Sequence, residues 1–265
     1  MDTEKKRCTA IVLAAGSGKR MGSATAKQFM LLEGRPILWY SLKTIEESKI
    51  IDDCIIVTGA EDIEYVRREI VEKYDFRKVD AVTAGGRERW ESVYHGLRVV
   101  VQGDRTELKG NGYVFIHDGA RPFLTEEMLC NAYREVCRHR ACAVAVPVKD
   151  TIKIADKDGF AVKTPDRRLL WAVQTPQVFE TELIFRAYEK LCREGETISV
   201  TDDAMVVEQI LGLPVKLVEG SYGNIKITTP EDMGAARSLL EGWLEGLEKN
   251  CENFKKYVDR NNSFC

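Results

Sequence analysis

Histidine is scarce in this sequence: only His95, His117 and His139 are present, and no two sit at zinc-ligand spacing. The eight cysteines never form C-x-x-C. These absences exclude the usual zinc-site patterns and point to reduced, mostly structural thiols in a cytoplasmic protein. No apolar run approaches the ~20 residues that cross a bilayer, so no membrane role is expected. The opening MDTEKKRCT is charged and lacks the apolar stretch of a secretory signal. Excess positive charge is missing too, since 39 Lys and Arg face 42 Asp and Glu, a formal net charge of -3. Nucleic acid is therefore not an expected partner, and any anion site must be built from local cations. Internal repeats and low-complexity segments are absent.

Two familiar phosphate loops are missing as well. In the stretch AIVLAAGSGKRMGSATAK, residues 10–27, Gly18-Lys19 is followed by Arg20 rather than Ser or Thr. Leu13 stands where a Walker loop has its first glycine. Gly16-x-Gly18 is followed by Met21 where the dinucleotide motif needs its third glycine. What remains is an apolar strand running into glycines and the cations Lys19, Arg20 and Lys27. Such a turn suits an anionic ligand, because glycine permits close backbone approach and free N–H groups can face phosphate oxygens. A plain strand-to-helix turn is the other reading.

The 265 residues, 44% of them hydrophobic, suffice for one large core. Apolar runs predict strands over 9–14, 54–58, 79–83, 113–117 and 143–148. Helical patterns over 37–45, 61–73, 88–101 and 126–139 alternate with them. This order predicts an α/β fold with a mostly parallel sheet covered by helices on both faces. The rhythm breaks at 149–168, where Ile152 and Ile154 pair in pattern with Phe160 and Val162 across Asp158-Gly159. That is a hairpin signal. With too little apolar surface for its own core, the hairpin suits either a partner subunit or a solvated excursion. Helices over 182–192 and 204–211 and strands over 215–219 and 224–228 follow. Thr229-Pro230-Glu231-Asp232 then opens a long final helix. One domain is expected over 1–240, with a C-terminal helical extension over 241–265.

In an open α/β sheet, ligands bind beyond the carboxyl ends of the strands. The residues expected there are the glycine loop, Gly85-Gly86-Arg87-Glu88-Arg89 with Ser92, and Asp118-Gly119-Ala120-Arg121. Thr175 is expected after a later strand, and Lys226 within one. Together they suit a nucleotide and a second anion. Taken singly, Gly85-Gly86 suits a tight turn and His117 a packed strand end. Lys226 is harder to dismiss, since a lysine inside an apolar strand needs a partner or a ligand.

The segments LAAGSGKRMGSATAKQF, GGRERWESV, HDGARPF, VPVKDTIK, QTPQVF, TDDAMVVE and NIKITTPEDM occur in this order. In that order they resemble the 2-C-methyl-D-erythritol 4-phosphate cytidylyltransferases, over about residues 9–240. The resemblance implies a Rossmann-like nucleotide-diphospho-sugar transferase fold whose β-arm reaches into the partner of a homodimer. It implies transfer of CMP from CTP to 2-C-methyl-D-erythritol 4-phosphate in non-mevalonate isoprenoid biosynthesis, with Mg²⁺ as cofactor. Carried over by motif, Ala14, Ala15, Gly16 and Gly18 would line the CTP loop. Arg20, Lys27 and Lys226 would be the catalytic cations, the first two on the triphosphate. The segment Gly22–Ala26 between Arg20 and Lys27 is itself expected to be mobile without CTP and ordered with it. Gly86, Arg87 and Ser92 would lie against cytosine, and Asp118 would face the ribose and the metal region. Lys226, with Arg121 and Thr175, would also hold the methylerythritol phosphate, and Thr151 and Arg167 on the arm would complete the partner's site. Arg87 departs from the short residue often found there, so its base contact is expected through the main chain. The metal has no assigned protein ligand set and is expected mainly on the CTP phosphates. Alternatives are a cytidylyltransferase for another polyol phosphate, such as ribitol 5-phosphate, and a non-catalytic nucleotide-binding protein. An NAD-dependent oxidoreductase lacks its glycines here.

Overall fold

The computed structural model describes residues 5–16, 26–102, 112–194 and 200–260, without the side chains of 194 and of 246–260. β1 (Cys8–Ala14) leads through a small β2–β3 pair (Leu31–Leu32, Arg35–Pro36) to α1 (Ile37–Glu47) and β4 (Asp53–Thr58). The next crossover is a 3-10 turn (Ala60–Asp62), α2 (Ile63–Tyr65) and a π-helical stretch (Val66–Glu72). One continuous helix was expected there. β5 (Val79–Ala84), α3 (Arg89–Gln102), β6 (Tyr113–Asp118), α4 (Glu126–His139) and β7 (Ala141–Pro147) follow. α4 has the expected bounds: Thr125 caps its start through the Met128 N–H, and Arg140 turns left-handed at its end.

The arm is the antiparallel pair β8 (Ile154–Ala155) and β9 (Ala161–Lys163). Its register differs from the expected one: Ile154 pairs with Lys163 and Ala155 with Ala161. The cause lies in the turn. Asp156 Oδ1 accepts the N–H groups of Asp158 and Phe160, at 3.0 and 2.9 Å, which closes a wider loop than Asp158-Gly159 alone. β10 (Trp171–Glu180), α5 (Thr181–Glu194), α6 (Asp203–Leu211), β11 (Lys216–Glu219) and α7 (Pro230–Arg260) complete the chain.

Among the described residues, the main sheet has seven strands in the order β11-β7-β10-β6-β1-β4-β5. Only β10 runs antiparallel to its neighbours. The chain winds outward from β1 through β4 to β5, then crosses back to β6 on the other side of β1. That reversal opens a crevice at the carboxyl ends of β1 and β6. Successive residues of β1 face opposite sides. Ala10 and Val12 pack in a cluster with Leu42 of α1 and Leu129 and Val136 of α4. Ile11 packs with Val93 and Leu97 of α3, Ile184 of α5 and Val207 of α6. Helices thus cover both faces, as the apolar strands predicted.

Two expectations near the crevice need correction. Residues 224–228 are not a strand. Their backbone bonds to loops, with the Ile227 N–H donating to the Ala120 carbonyl at 2.9 Å. The strand-like alternation arises because Ile225 and Ile227 pack with Phe123 and α7. Thr175 does not follow a strand but lies within β10, where the register with β7 breaks between Val173 and Gln177. α7 starts as expected, with Asp232 Oδ2 accepting the N–H groups of Thr228 and Thr229 at 2.7 and 2.8 Å. Its packed face reaches Trp243, whose Nε1–H donates to the Leu124 carbonyl at 2.9 Å.

Candidate active site

A pocket of about 330 Å³ lies at the crevice. Its described lining comes from the first turn (Leu13, Ala15, Gly16, Lys27, Gln28), the turn after β5 (Gly86–Arg89, Ser92), the end of β6 (Asp118, Ala120) and Lys226. The buried Gln28 side chain ties the first turn down by donating to the Ala14 carbonyl. The second turn leans on the first. A Cβ on Gly85 would come within 2.6 Å of Ser92 Oγ and 2.8 Å of the Ala15 Cβ, so this approach requires glycine. Ser92 Oγ accepts the Gly86 N–H at 3.1 Å, and Glu91 Oε2 accepts those of Arg87 and Glu88 at 2.6 and 2.9 Å. The backbone of the turn is therefore fixed by its own helix, α3.

Asp118 forms the floor. Lys226 Nζ lies 2.7 Å from its Oδ2, and Arg89 Nε donates to its Oδ1 at 3.3 Å. Burial alone would raise this carboxyl, but Arg89 and Lys226 outweigh it and hold Asp118 well below the usual carboxylate range. Arg89 turns its other two nitrogens on Asp203, with Nη1–Oδ1 at 2.9 Å and Nη2–Oδ2 at 2.7 Å. Asp203 is 0% exposed and also accepts the Tyr188 hydroxyl at 2.6 Å. Burial opposes the charge of Arg89, and the two carboxylates reverse that, keeping it firmly protonated.

A hydrogen-bond chain runs behind the floor. His117 Nε2 faces the Arg121 carbonyl at 3.1 Å, and its Nδ1 faces Thr175 Oγ1 at 3.0 Å. A carbonyl only accepts, so Nε2 carries the proton and Nδ1 accepts from the Thr175 hydroxyl. Thr175 Oγ1 in turn accepts the Asp118 N–H at 3.0 Å. Arg121 Nη1 donates to the Asn224 carbonyl at 2.7 Å, and the Asn224 side chain donates to the Thr175 carbonyl at 2.9 Å.

Burial pushes the His117 imidazole from 6.5 down to about 4. The unfolded chain then binds the extra proton between those values, so stability falls as pH drops through that window. The contribution is complete above about pH 6.5 and amounts to about 3 kcal/mol. Urea denaturation at pH 7, 5.5 and 4.5 is expected to show this loss, and His117→Gln to flatten it. An equal slope in the variant would contradict the neutral, buried imidazole.

Of the residues named from sequence, Ala15, Gly16, Lys27, Gly86, Arg87, Ser92, Asp118 and Lys226 meet in this one pocket. Arg121 and Thr175 join it through the chain behind Asp118. Ala14 lies beneath, buried, with its carbonyl occupied by Gln28 and by Thr58 Oγ1. Thr151 and Arg167 are exposed and do not line the pocket of their own chain. Gly18, Arg20 and the segment 22–25 lie outside the described residues. Asp203 and Tyr188 were not singled out from sequence, and Arg89 was placed at the crevice without a role of its own. One signal was available: Arg89 opens α3, where a cation opposes the helix dipole and needs an acidic partner.

Comparison with known proteins gives the family. Residues 8–242 match the family described as 2-C-methyl-D-erythritol 4-phosphate cytidylyltransferase. The chain belongs to this family. A 2-C-methyl-D-erythritol 4-phosphate cytidylyltransferase of Lachnospira eligens is 49% identical over 234 residues, 88% of this chain and 99% of that protein. The crystal structure of 4-diphosphocytidyl-2C-methyl-D-erythritol synthase from Anaerococcus prevotii has a TM-score of 0.75 at 34% identity, over 90% of this chain and 100% of that one. The enzyme of Francisella tularensis gives 0.72 at 28% identity, over 88% and 99%. The cytidylyltransferase match ends one residue short of Trp243, the last described residue of α7 buried in the body. No helix among the described residues is long and apolar enough to cross a membrane.

Proposed function

We propose that this chain transfers the cytidylyl group of CTP to 2-C-methyl-D-erythritol 4-phosphate, giving 4-diphosphocytidyl-2-C-methyl-D-erythritol and pyrophosphate, in non-mevalonate isoprenoid biosynthesis. The pocket carries the reading: two glycine turns, Lys27 and Lys226 face one volume whose floor is the fixed carboxylate Asp118. The names borne by its relatives choose the substrates.

A phosphate oxygen of the methylerythritol substrate attacks the α-phosphorus of CTP. The bond from that phosphorus to the β-bridging oxygen breaks, and pyrophosphate leaves with the electron pair. The attacking phosphate, with a second pKa of about 6, is largely dianionic near neutral pH and needs no protein base. His117 is unsuited to that task in any case, being buried with both ring nitrogens engaged. What the reaction needs is alignment of two anions and relief of their repulsion. Lys27, with Arg20, serves the triphosphate, and the Gly86–Ser92 turn serves cytosine. Asp118 faces the ribose and keeps Lys226 aimed into the pocket, where Lys226 meets the second substrate's phosphate. Arg121 and Thr175 support the same phosphate side. Arg121 Nε is buried without a partner among the described residues, which suits an anion nearby.

Mg²⁺ fits as an ion brought by the triphosphate. No cluster of three or more His, Cys, Asp or Glu suited to a metal occurs among the described residues. Asp118 and Glu88 are the carboxylates of the described lining, and Mg²⁺ commonly takes one or two carboxylates plus substrate phosphates. When bound, it supplies charge neutralisation on the phosphate oxygens.

The working unit in this reading is a homodimer joined through the arm, acting in the cytoplasm. Phe160 and Leu169 are 73% and 78% exposed, apolar surface that a partner would cover. Thr151 and Arg167 would then serve the partner's pocket rather than their own. The test is pyrophosphate release from CTP with methylerythritol phosphate or ribitol 5-phosphate, with and without Mg²⁺. Release with the first substrate and Mg²⁺ is expected. Release with ribitol phosphate alone would overturn the substrate, and release with neither would overturn the activity.

A further inference from the structure

The lining of the pocket ends at Arg89, but the charges that set Arg89 lie deeper. Asp203 is wholly buried at the start of α6, 114 residues further along the chain. It accepts both terminal nitrogens of the guanidinium, and the buried Tyr188 of α5 donates to it. A guanidinium gripped on two nitrogens by a carboxylate has its plane fixed. Its third donor, Nε, then has one direction left, and that direction is Asp118 Oδ1. The opposite oxygen of Asp118 holds Lys226. The charges alternate along this line: Asp203, Arg89, Asp118, Lys226.

We infer that Arg89, clamped by Asp203 and Tyr188, is a positioning residue that fixes the Asp118 carboxylate and, through it, the Lys226 ammonium. The clamp also withdraws Arg89 from the phosphates, since its charge is matched by a buried carboxylate. The mobile end of a lysine cannot set its own place, and Asp118, exposed to the pocket, cannot hold it unless its own rotamer is held. The helices α3, α5 and α6, packed together on one face of the sheet, thereby locate the cation that meets the second substrate. The inference rests on the proposed reaction only for what Lys226 acts upon.

The test is the double variant Arg89→Met with Asp203→Leu. Replacing a buried ion pair by apolar side chains of similar size is often neutral or stabilising, so a merely structural role is preserved in it. Unfolding is expected near the wild-type midpoint, lowered by no more than the loss of an acceptor for the buried Tyr188 hydroxyl. CTP affinity by titration calorimetry is expected to stay within a few-fold, because the triphosphate loop is untouched. The kcat with methylerythritol phosphate is expected to fall about 10²-fold, the cost of a misplaced group. In a crystal structure of the variant, Asp118 is expected in another rotamer with its 2.7 Å contact to Lys226 lost. Wild-type placement of Asp118, or wild-type kcat in the folded variant, would overturn the inference. Should the double variant fail to fold, Arg89→Lys keeps the charge without the fork or the Nε donor and is expected to show the same kcat loss and the same shift of Asp118. Wild-type kcat and placement there would overturn it equally. The crystal readout is independent of turnover, so wild-type protein inactive with methylerythritol phosphate would count against the reaction and not against the positioning.

Discussion

Lys27→Ala is expected to fold normally and to lose on the order of 10²–10³ in turnover with CTP. The fold is spared because the main chain around Lys27 is anchored by other groups. Gln28 binds the Ala14 carbonyl, Phe29 is buried, and the Phe29 N–H donates to Ala26 at 2.9 Å. What is removed is the Lys27 side chain beyond Cβ, part of the pocket wall. In a transfer whose catalysis is mainly positioning and electrostatics, a cation beside the transferring phosphates stabilises charge as pyrophosphate leaves. Steady-state kinetics with circular dichroism of the variant check this. Near-wild-type turnover would remove Lys27 from the mechanism.

Asp118→Asn is expected to lower kcat by about 10² while leaving CTP binding at least as strong. The substitution is nearly isosteric, and the backbone bond from residue 118 to Thr175 survives. An amide still accepts from a ribose hydroxyl, but its NH₂ end cannot hold a cation. Lys226 loses its counter-charge while Arg89 stays gripped by Asp203. The pocket gains one net positive charge, which favours a triphosphate. Calorimetry with CTP beside the kinetics separates the two effects. A parallel loss of CTP affinity and kcat would mean that Asp118 acts by holding the nucleotide rather than by setting Lys226.

The sequence made the sheet legible where burial on two faces left unbroken apolar runs, as in β1, β4 and β6. It made α4 legible to the residue, because Thr125 and the acids after it mark a helix start by local chemistry. It misled at 224–228, where Ile225 and Ile227 alternate like a strand but are buried by α7 and Phe123 rather than by strand pairing. The pocket wall was legible because glycines and cations cluster in short motifs. The Arg89–Asp203 pair was not. Asp203 reads as an ordinary first-turn acid of α6, and although Arg89 at the start of α3 calls for an acid, nothing local says which one, 114 residues away. Such pairings are fixed by how helices stack on the sheet, a tertiary property that periodicity does not carry.

The central claim is a transfer at the α-phosphorus, and the fate of that atom tests it most directly. With CTP labelled at the α-phosphate, methylerythritol phosphate and Mg²⁺, all converted label is expected in a cytidine diphosphate diester of the polyol, with unlabelled pyrophosphate in equal amount. Label recovered as CMP or CDP, with no polyol conjugate, would contradict it.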